Sequence, residues 1–249
     1  MEAITVMKRY EMKFILNKAQ LIAFKNALDG HMVVDEYGKT SIASIYYDTP
    51  NYQLIRTSLE KPAYKEKIRL RGYGLLNEDD DSFLELKRKV EGVVYKRRIK
   101  TKEENAINFL KGKTDRLDSS NQIAKELVYF RNYYQKLEPK IMVIYDRTSY
   151  KELNGDIRLT IDECPRYRTY DLNLHTSMEG NLLLPSGSAI LEIKVQQELP
   201  LWLVHILSEN KIYKTSFSKV GTAYRLMTNK QTYQQERRLA HELIIQPAR

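Results

Sequence analysis

The chain has 249 residues, 42% of them hydrophobic and 29% charged, the balance of a folded globular protein rather than a disordered one. Lys and Arg number 41 against 32 Asp and Glu, a formal charge of +9 that points to an anionic partner. No apolar run approaches the ~20 residues of a membrane helix. The first residues lack a signal-peptide core, and one cysteine, Cys164, allows no internal disulfide, so a cytoplasmic protein is expected. The four histidines are scattered without metal-ligand spacing, which speaks against zinc.

In chain order, Lys8–Leu16 alternates as a strand and ends at Asn17, an N-cap for a helix over Lys18–Leu28. Thr40–Asp48 is β-branched and aromatic and stops at Thr49-Pro50. Tyr64–Tyr73, Ser82–Val90 and Val93–Thr101 read as three more strands, the last two joined by a turn at Glu91-Gly92. Two helices follow. Lys102–Leu110 is expected to be capped by Thr101 with Glu104 completing a capping box. Gln122–Leu137 carries Ile123, Leu127, Phe130, Tyr134 and Leu137 on one stripe. Lys140–Leu153 and Asp156–Glu163 flank the hairpin signal Asn154-Gly155. After an irregular stretch, Ser188–Val195 reads as a strand and Pro200–Glu209 as a helix, with Trp202 as its anchor. A last helix runs from Lys219 through at least Leu226, with Leu243 as its farthest extent.

Most of these strands put charge on one face. The sets are Arg9, Glu11, Lys13; Lys65, Lys67, Arg69, Arg71; Glu85, Lys87, Lys89; Lys96, Arg98, Lys100; then Arg147, Arg158, Asp162, Glu192 and Lys194. Side chains alternate across a strand, so each set shares a face. For one strand this is an ordinary solvated face with weak salt bridges. For many strands together the amphipathic helices must cover the apolar faces, which turns the charged faces toward a common interior. Such an interior suits a phosphate chain, with its carboxylates suited to Mg2+ or Mn2+ shared with the phosphates.

The segments Arg9-Tyr-Glu-Met-Lys-Phe14, Ile45-Tyr-Tyr-Asp-Thr49, Lys67-Ile-Arg-Leu-Arg71, Phe83-Leu-Glu-Leu-Lys87, Tyr145-Asp-Arg147, Arg158-Leu-Thr-Ile-Asp162, Ile190-Leu-Glu-Ile-Lys194 and Ser216-Phe-Ser-Lys219 occur in that order. The series resembles the VTC (vacuolar transporter chaperone) polyphosphate polymerase domain of the CYTH-like, triphosphate tunnel metalloenzyme superfamily, from about Lys8 to about Leu226. The resemblance implies an α+β fold, an eight-stranded antiparallel β-barrel enclosing a triphosphate tunnel with helices packed outside, in a single domain over 1–249. It implies a metal-dependent phosphotransferase that moves the γ-phosphate of ATP onto polyphosphate and releases ADP, with Mn2+ or Mg2+. Arg69, Arg71, Lys87, Arg147 and Lys219 would be the catalytic, phosphate-holding side chains. Lys13, Lys67, Arg98, Arg158, Lys194 and Arg9 would add phosphate contacts. Glu192 would be the metal ligand, helped by Glu11 and Glu85. Hydrolytic relatives open with E-x-E-x-K, whereas Arg9-x-Glu11-x-Lys13 puts a cation first, which favours transfer over hydrolysis.

Other readings carry less. A tripolyphosphatase or nucleoside triphosphatase on the same fold is the enzymatic alternative, and a polyphosphate or nucleic-acid binding module the non-enzymatic one. Nucleic acid is disfavoured because carboxylates punctuate the basic strands and Tyr46, Tyr47, Tyr134 and Tyr145 read as core. Gly38-Lys-Thr40 and Gly112-Lys-Thr114 lack the earlier glycine of a phosphate-binding loop. Arg237 and Arg238 read as a solvated helix face, and any membrane-protein partner is unspecified.

Overall fold

The computed structural model describes residues 10–117, 122–196 and 198–229. Arg9, and any continuation of the last helix to Leu243, lie outside the described residues. The elements are β1 (Tyr10–Leu16), α1 (Lys18–Ala27), β2 (Met32–Asp48), α2 (Gln53–Leu59), β3 (Tyr64–Tyr73), β4 (Ser82–Val90) and β5 (Val93–Thr101). Then come α3 (Glu103–Leu110), α4 (Gln122–Tyr134), β6 (Glu138–Glu152), β7 (Arg158–Arg168), β8 (Asn181–Leu182), β9 (Ala189–Val195), α5 (Leu201–Glu209) and β10 (Lys214–Thr215). A final helix, α6, covers 219–229.

Among the described residues the strands form one antiparallel sheet in the order β10-β1-β9-β7-β6-β2-β3-β4-β5, with β8 on β7. The closed eight-stranded barrel expected from the sequence is corrected here to an open sheet of ten strands. Two of the ten, β8 and β10, are only two residues long. The hydrogen-bonding path ends at β5 on one side and at β10, which pairs with β1 at Lys13 and Phe14, on the other.

Alternation along the strands decides which helices pack where. The apolar positions of β3, β4 and β5 are Ile68, Leu70, Leu84, Leu86 and Ile99, which meet Phe109 of α3 and Leu127 and Phe130 of α4 on the outer face. Phe14, Leu16, Leu159, Ile161, Leu191 and Ile193 meet Leu21 and Phe24 of α1 and Leu203 and Leu207 of α5 in a second outer core. Each such Leu, Ile or Phe contributes roughly 1.5–3 kcal/mol by leaving water. Helices α1, α3, α4 and α5 thus cover the outside, as expected. Helices α2 and α6 instead close over the inner faces of β2 and β6, through Ile55, Val220 and Ala223 against Ile42, Ile141, Val143 and Tyr145.

Local signals explain several joints. Asn17 caps α1 and forms a reciprocal capping box with Gln20. Glu91 and Gly92 both have positive φ, the requirement of a tight hairpin turn between β4 and β5. At α3 the expected box is absent: Lys102 is the N-cap and makes no side-chain cap bond. Glu103, the first residue of α3, accepts from the Leu174 amide and pairs with the His175 ring.

Helix α2 was not expected from the sequence. Its cap comes from outside the helix: the buried Asp48 carboxylate accepts from the amides of Thr49, Leu54 and Ile55, all within 2.8 Å. Burial pushes the Asp48 carboxyl up, and those amides oppose it. Replacing Asp48 with alanine would strand three donors at a buried helix start. The expected loss is about 2–3 kcal/mol in denaturant unfolding, and an unchanged midpoint would show that the helix caps itself.

Candidate active site

The inner face of the curled sheet gathers side chains that the alternation aims at one space. From β3 come Lys67, Arg69 and Arg71; from β4, Glu85 and Lys87; from β5, Lys96 and Arg98. Across from them stand Glu11 and Lys13 of β1, Glu192 and Lys194 of β9, and Arg147 and Asp162 of β6 and β7. Lys219 and Ser218 enter from the start of α6. Two buried carboxylates organise most of this charge.

The first is Glu85, 1% exposed. Arg69 grips it through Nε at 2.8 Å and Nη2 at 2.7 Å, and Lys96 lies at 2.8 Å, with Arg98 at 3.5 Å and Arg71 at 3.7 Å. Burial alone would raise its carboxyl, but Arg69, Arg71 and Lys96 hold it down at about 2. The second is Asp162, also 1% exposed, which takes Arg147 on both oxygens at 2.6 and 2.9 Å and Lys219 besides. Against its burial, Lys219 and Arg147 bring its carboxyl to about 2.

Two phenols complete the lining. Arg69 donates to the Tyr46 hydroxyl at 2.9 Å and Arg71 to the Tyr145 hydroxyl at 3.2 Å, while the Arg71 Nε donates to Ser44 at 3.3 Å. Burial would raise the Tyr46 phenol, yet Arg69, Lys67 and Arg71 lower it to about 8. Lys219 and Arg147 both lie over the Tyr145 ring, at 4.3 and 5.2 Å. Tyr46 and Tyr145 are core residues by their rings and site residues by their hydroxyls. Ser218 accepts from Lys67 at 3.2 Å and from the Gly221 amide at 3.2 Å, so it caps α6 and faces the site at once.

The remaining cations have less compensation. Lys67 is brought down to about 8 by burial, with Lys87, Lys65 and Lys13 adding to the effect and Tyr46 opposing it. Lys87 is lowered chiefly by burial, with Glu11 and Glu192 within electrostatic reach across the concavity. Lys13 joins the two acidic residues of its end, 3.2 Å from Glu11 and 3.8 Å from Glu192. Lys194 pairs with Glu192 at 2.8 Å. Arg98 donates to the Tyr73 hydroxyl at 2.9 Å and stacks 3.5 Å over the Phe83 ring.

Of the residues singled out in the sequence, Lys13, Lys67, Arg69, Arg71, Lys87, Arg98, Arg147, Lys194, Lys219, Glu11, Glu85 and Glu192 share this face. Arg158 lies on the same face of β7 but at its exposed start, opposite Lys194. Partners not singled out as site residues include Lys96, Asp162, Ser218, Ser44, Tyr73 and the hydroxyls of Tyr46 and Tyr145. The strand alternation that gave Arg98 and Arg147 holds the signal for Lys96 and Asp162.

The site is thus the inner face of a curled antiparallel sheet, covered by helices outside and lined inside by Arg and Lys from nearly every strand. The model of the VTC domain matches residues 8–228, and the chain belongs to that family. Solved structures agree on the fold. An adenylyl-cyclase-like protein from Hippeastrum, described as having a dominant triphosphatase activity, superposes with a TM-score of 0.54 at 17% identity. The match covers 86% of this chain and 93% of that one. An adenylate-cyclase-like protein from Bacillus halodurans gives 0.51 at 14% identity over 84% of this chain and 92% of that one. A search of curated proteins finds no match. Among the described residues no helix is long and apolar enough to cross a membrane.

Proposed function

We propose that this chain is a polyphosphate polymerase that transfers the γ-phosphate of ATP to a growing polyphosphate chain and releases ADP. The observation that supports it best is the excess of fixed cations over carboxylates on the inner face, with the two most buried carboxylates, Glu85 and Asp162, already taken up by Arg and Lys. Phosphoryl transfer asks for neutralised equatorial oxygens and an in-line arrangement rather than covalent help from the protein. Arg69, Arg71, Arg147 and Lys219 are preorganised for the first task, each held by a carboxylate or a phenol. The acceptor is a phosphate, anionic at neutral pH, so no general base is needed. Lys13, Lys67, Lys87, Arg98 and Lys194 extend the phosphate contacts, with Arg158 at the rim and Arg9 outside the described residues.

The donor set fits a divalent ion of the Mg2+ or Mn2+ type at Glu192 with Glu11. Both carboxylates meet at Lys13, and the buried Thr160 hydroxyl, opposite Glu192 in register, has no hydrogen-bond partner. Among the described residues no three His, Cys, Asp or Glu cluster, so much of the coordination would come from phosphate oxygens, as hard-cation sites for nucleotides commonly arrange. Held by Glu192 and Glu11, such an ion would supply positive charge to offset the negative charge that develops during transfer. Glu85 fits this role poorly because four cations surround its carboxylate.

The triphosphatase reading draws support from the activity described for the Hippeastrum protein. Incubation with ATP and Mn2+ separates the two: polymer on a gel with matching ADP supports the polymerase, and free phosphate without polymer overturns it. Replacing Glu192 by alanine is expected to lower metal-dependent turnover by about 100-fold or more while tripolyphosphate binding in metal-free buffer changes little. Wild-type turnover in that variant would remove Glu192 from the site.

A further inference from the structure

The cationic lining does not stop where its carboxylates stop. On the face that carries Arg69 and Arg71, β3 and β4 set lysine directly opposite lysine twice, Lys67 against Lys87 and then Lys65 against Lys89. Lys87 also stands opposite Lys96 of β5. Like charges in directly opposed positions destabilise a sheet unless something neutralises them. Around Arg69 and Arg71 that something is Glu85. Farther along, none of Lys61, Lys65, Lys67, Lys87 or Lys89 makes an ion pair among the described residues. Lys65 lies close enough to Lys89, Lys61 and Lys87 that all three, after burial, depress its ammonium.

We propose that Lys65, Lys89 and Lys61 form a second anion subsite, which holds the extended part of a polyphosphate chain whose end lies at Arg69 and Arg71. This rests on the polymerase reading and adds the track along which the polymer lies, toward the Glu91-Gly92 turn. From Arg69 to Lys65 the strand advances about 13 Å, with a cation at every second residue. A bound polyanion neutralises opposed lysines that the protein leaves unmatched. Single-stranded nucleic acid has the charge but needs aromatic platforms. The exposed Tyr64 and Tyr95 alternate onto the opposite face of the sheet.

The test compares wild type with Lys65→Gln/Lys89→Gln in metal-free buffer, measuring affinity for inorganic tripolyphosphate and for long-chain polyphosphate over a salt series. The wild type is expected to prefer the long chain. The double variant should lose about tenfold in long-chain affinity, with a shallower salt dependence, and keep its tripolyphosphate affinity. Equal losses for both ligands, or none, would overturn the subsite. So would a single-stranded RNA of matching charge that binds as tightly and depends on the same two lysines. A wild type that makes polymer but shows no chain-length preference overturns the subsite alone. One that prefers long chains yet turns ATP into free phosphate overturns the polymerase reading alone.

Discussion

Replacing Glu85 with alanine is expected to cost about 3–5 kcal/mol of stability, the largest effect of any single change at the inner face. The carboxylate is 1% exposed and carries Arg69, Lys96, Arg98 and Arg71. Without it, cations from β3 and β5, the two strands that flank β4, face one another with no anion between them. Glu85→Gln keeps the volume and should lose most of the same stability, since the missing element is charge. Inorganic tripolyphosphate should restore part of it by supplying oxygens to the same cations. Denaturant unfolding with and without tripolyphosphate checks both points, and a midpoint within about 0.5 kcal/mol of wild type, the noise of surface substitutions, would refute the argument.

The same carboxylate sets an acid limit. Glu85 and Asp162 titrate at about 2 in the folded chain, below the ordinary carboxylate values of 4.5 and 3.8. A depressed folded value means the stabilisation is complete above the unfolded value and disappears as pH falls toward the folded one. Loss of stability is therefore expected between about pH 4.5 and 2, and Glu85→Gln should flatten that part of the profile.

Arg69→Ala is expected to behave in the opposite way, with function lost and fold kept. Removing Arg69 leaves Glu85 still paired with Lys96, Arg98 and Arg71, so no buried charge is orphaned. What disappears is a planar fork aimed at the interior and held from behind by Glu85 and Tyr46. Triphosphate affinity should fall on the order of 100-fold, with Arg69→Lys intermediate because it keeps the charge without the fork. Calorimetric binding alongside a melting curve distinguishes this from unfolding. A large drop in melting temperature with affinity intact would reverse the roles assigned to Arg69 and Glu85.

Much of this was legible in the sequence where side-chain alternation is strict. Strands β3, β4 and β5 begin and end where the pattern places them, because Ile68 and Leu70, Leu84 and Leu86, and Ile99 alternate with charged neighbours through their middles and turn residues bound their ends. Strand β2 was read only from Thr40, since its first half, residues 32–39, mixes charge with a glycine and breaks register between Val34 and Lys39. Helix α2 has seven residues and takes its cap from Asp48 outside it, so neither periodicity nor a local cap announces it. The capping box at α3 failed because the helix starts at Glu103, which makes Lys102 the N-cap in place of Thr101 and leaves a lysine with no capping side chain there. At the site, charge on one strand was visible but pairing across strands was not. Nothing in a linear pattern says that Asp162 belongs to Arg147 and Lys219, or that the Tyr46 hydroxyl receives Arg69.

The open path of the sheet has a mechanical consequence. Among the described residues no backbone ladder joins β5 to β1, and Lys87 on one lip of the concavity lies within electrostatic reach of Glu11 and Glu192 on the other. Behind them lie two separately packed cores, one under each half of the sheet. The attraction across the front of the shell is therefore one that salt can weaken. A multivalent anion laid between the lips would act as the missing rivet, gripping both halves at once.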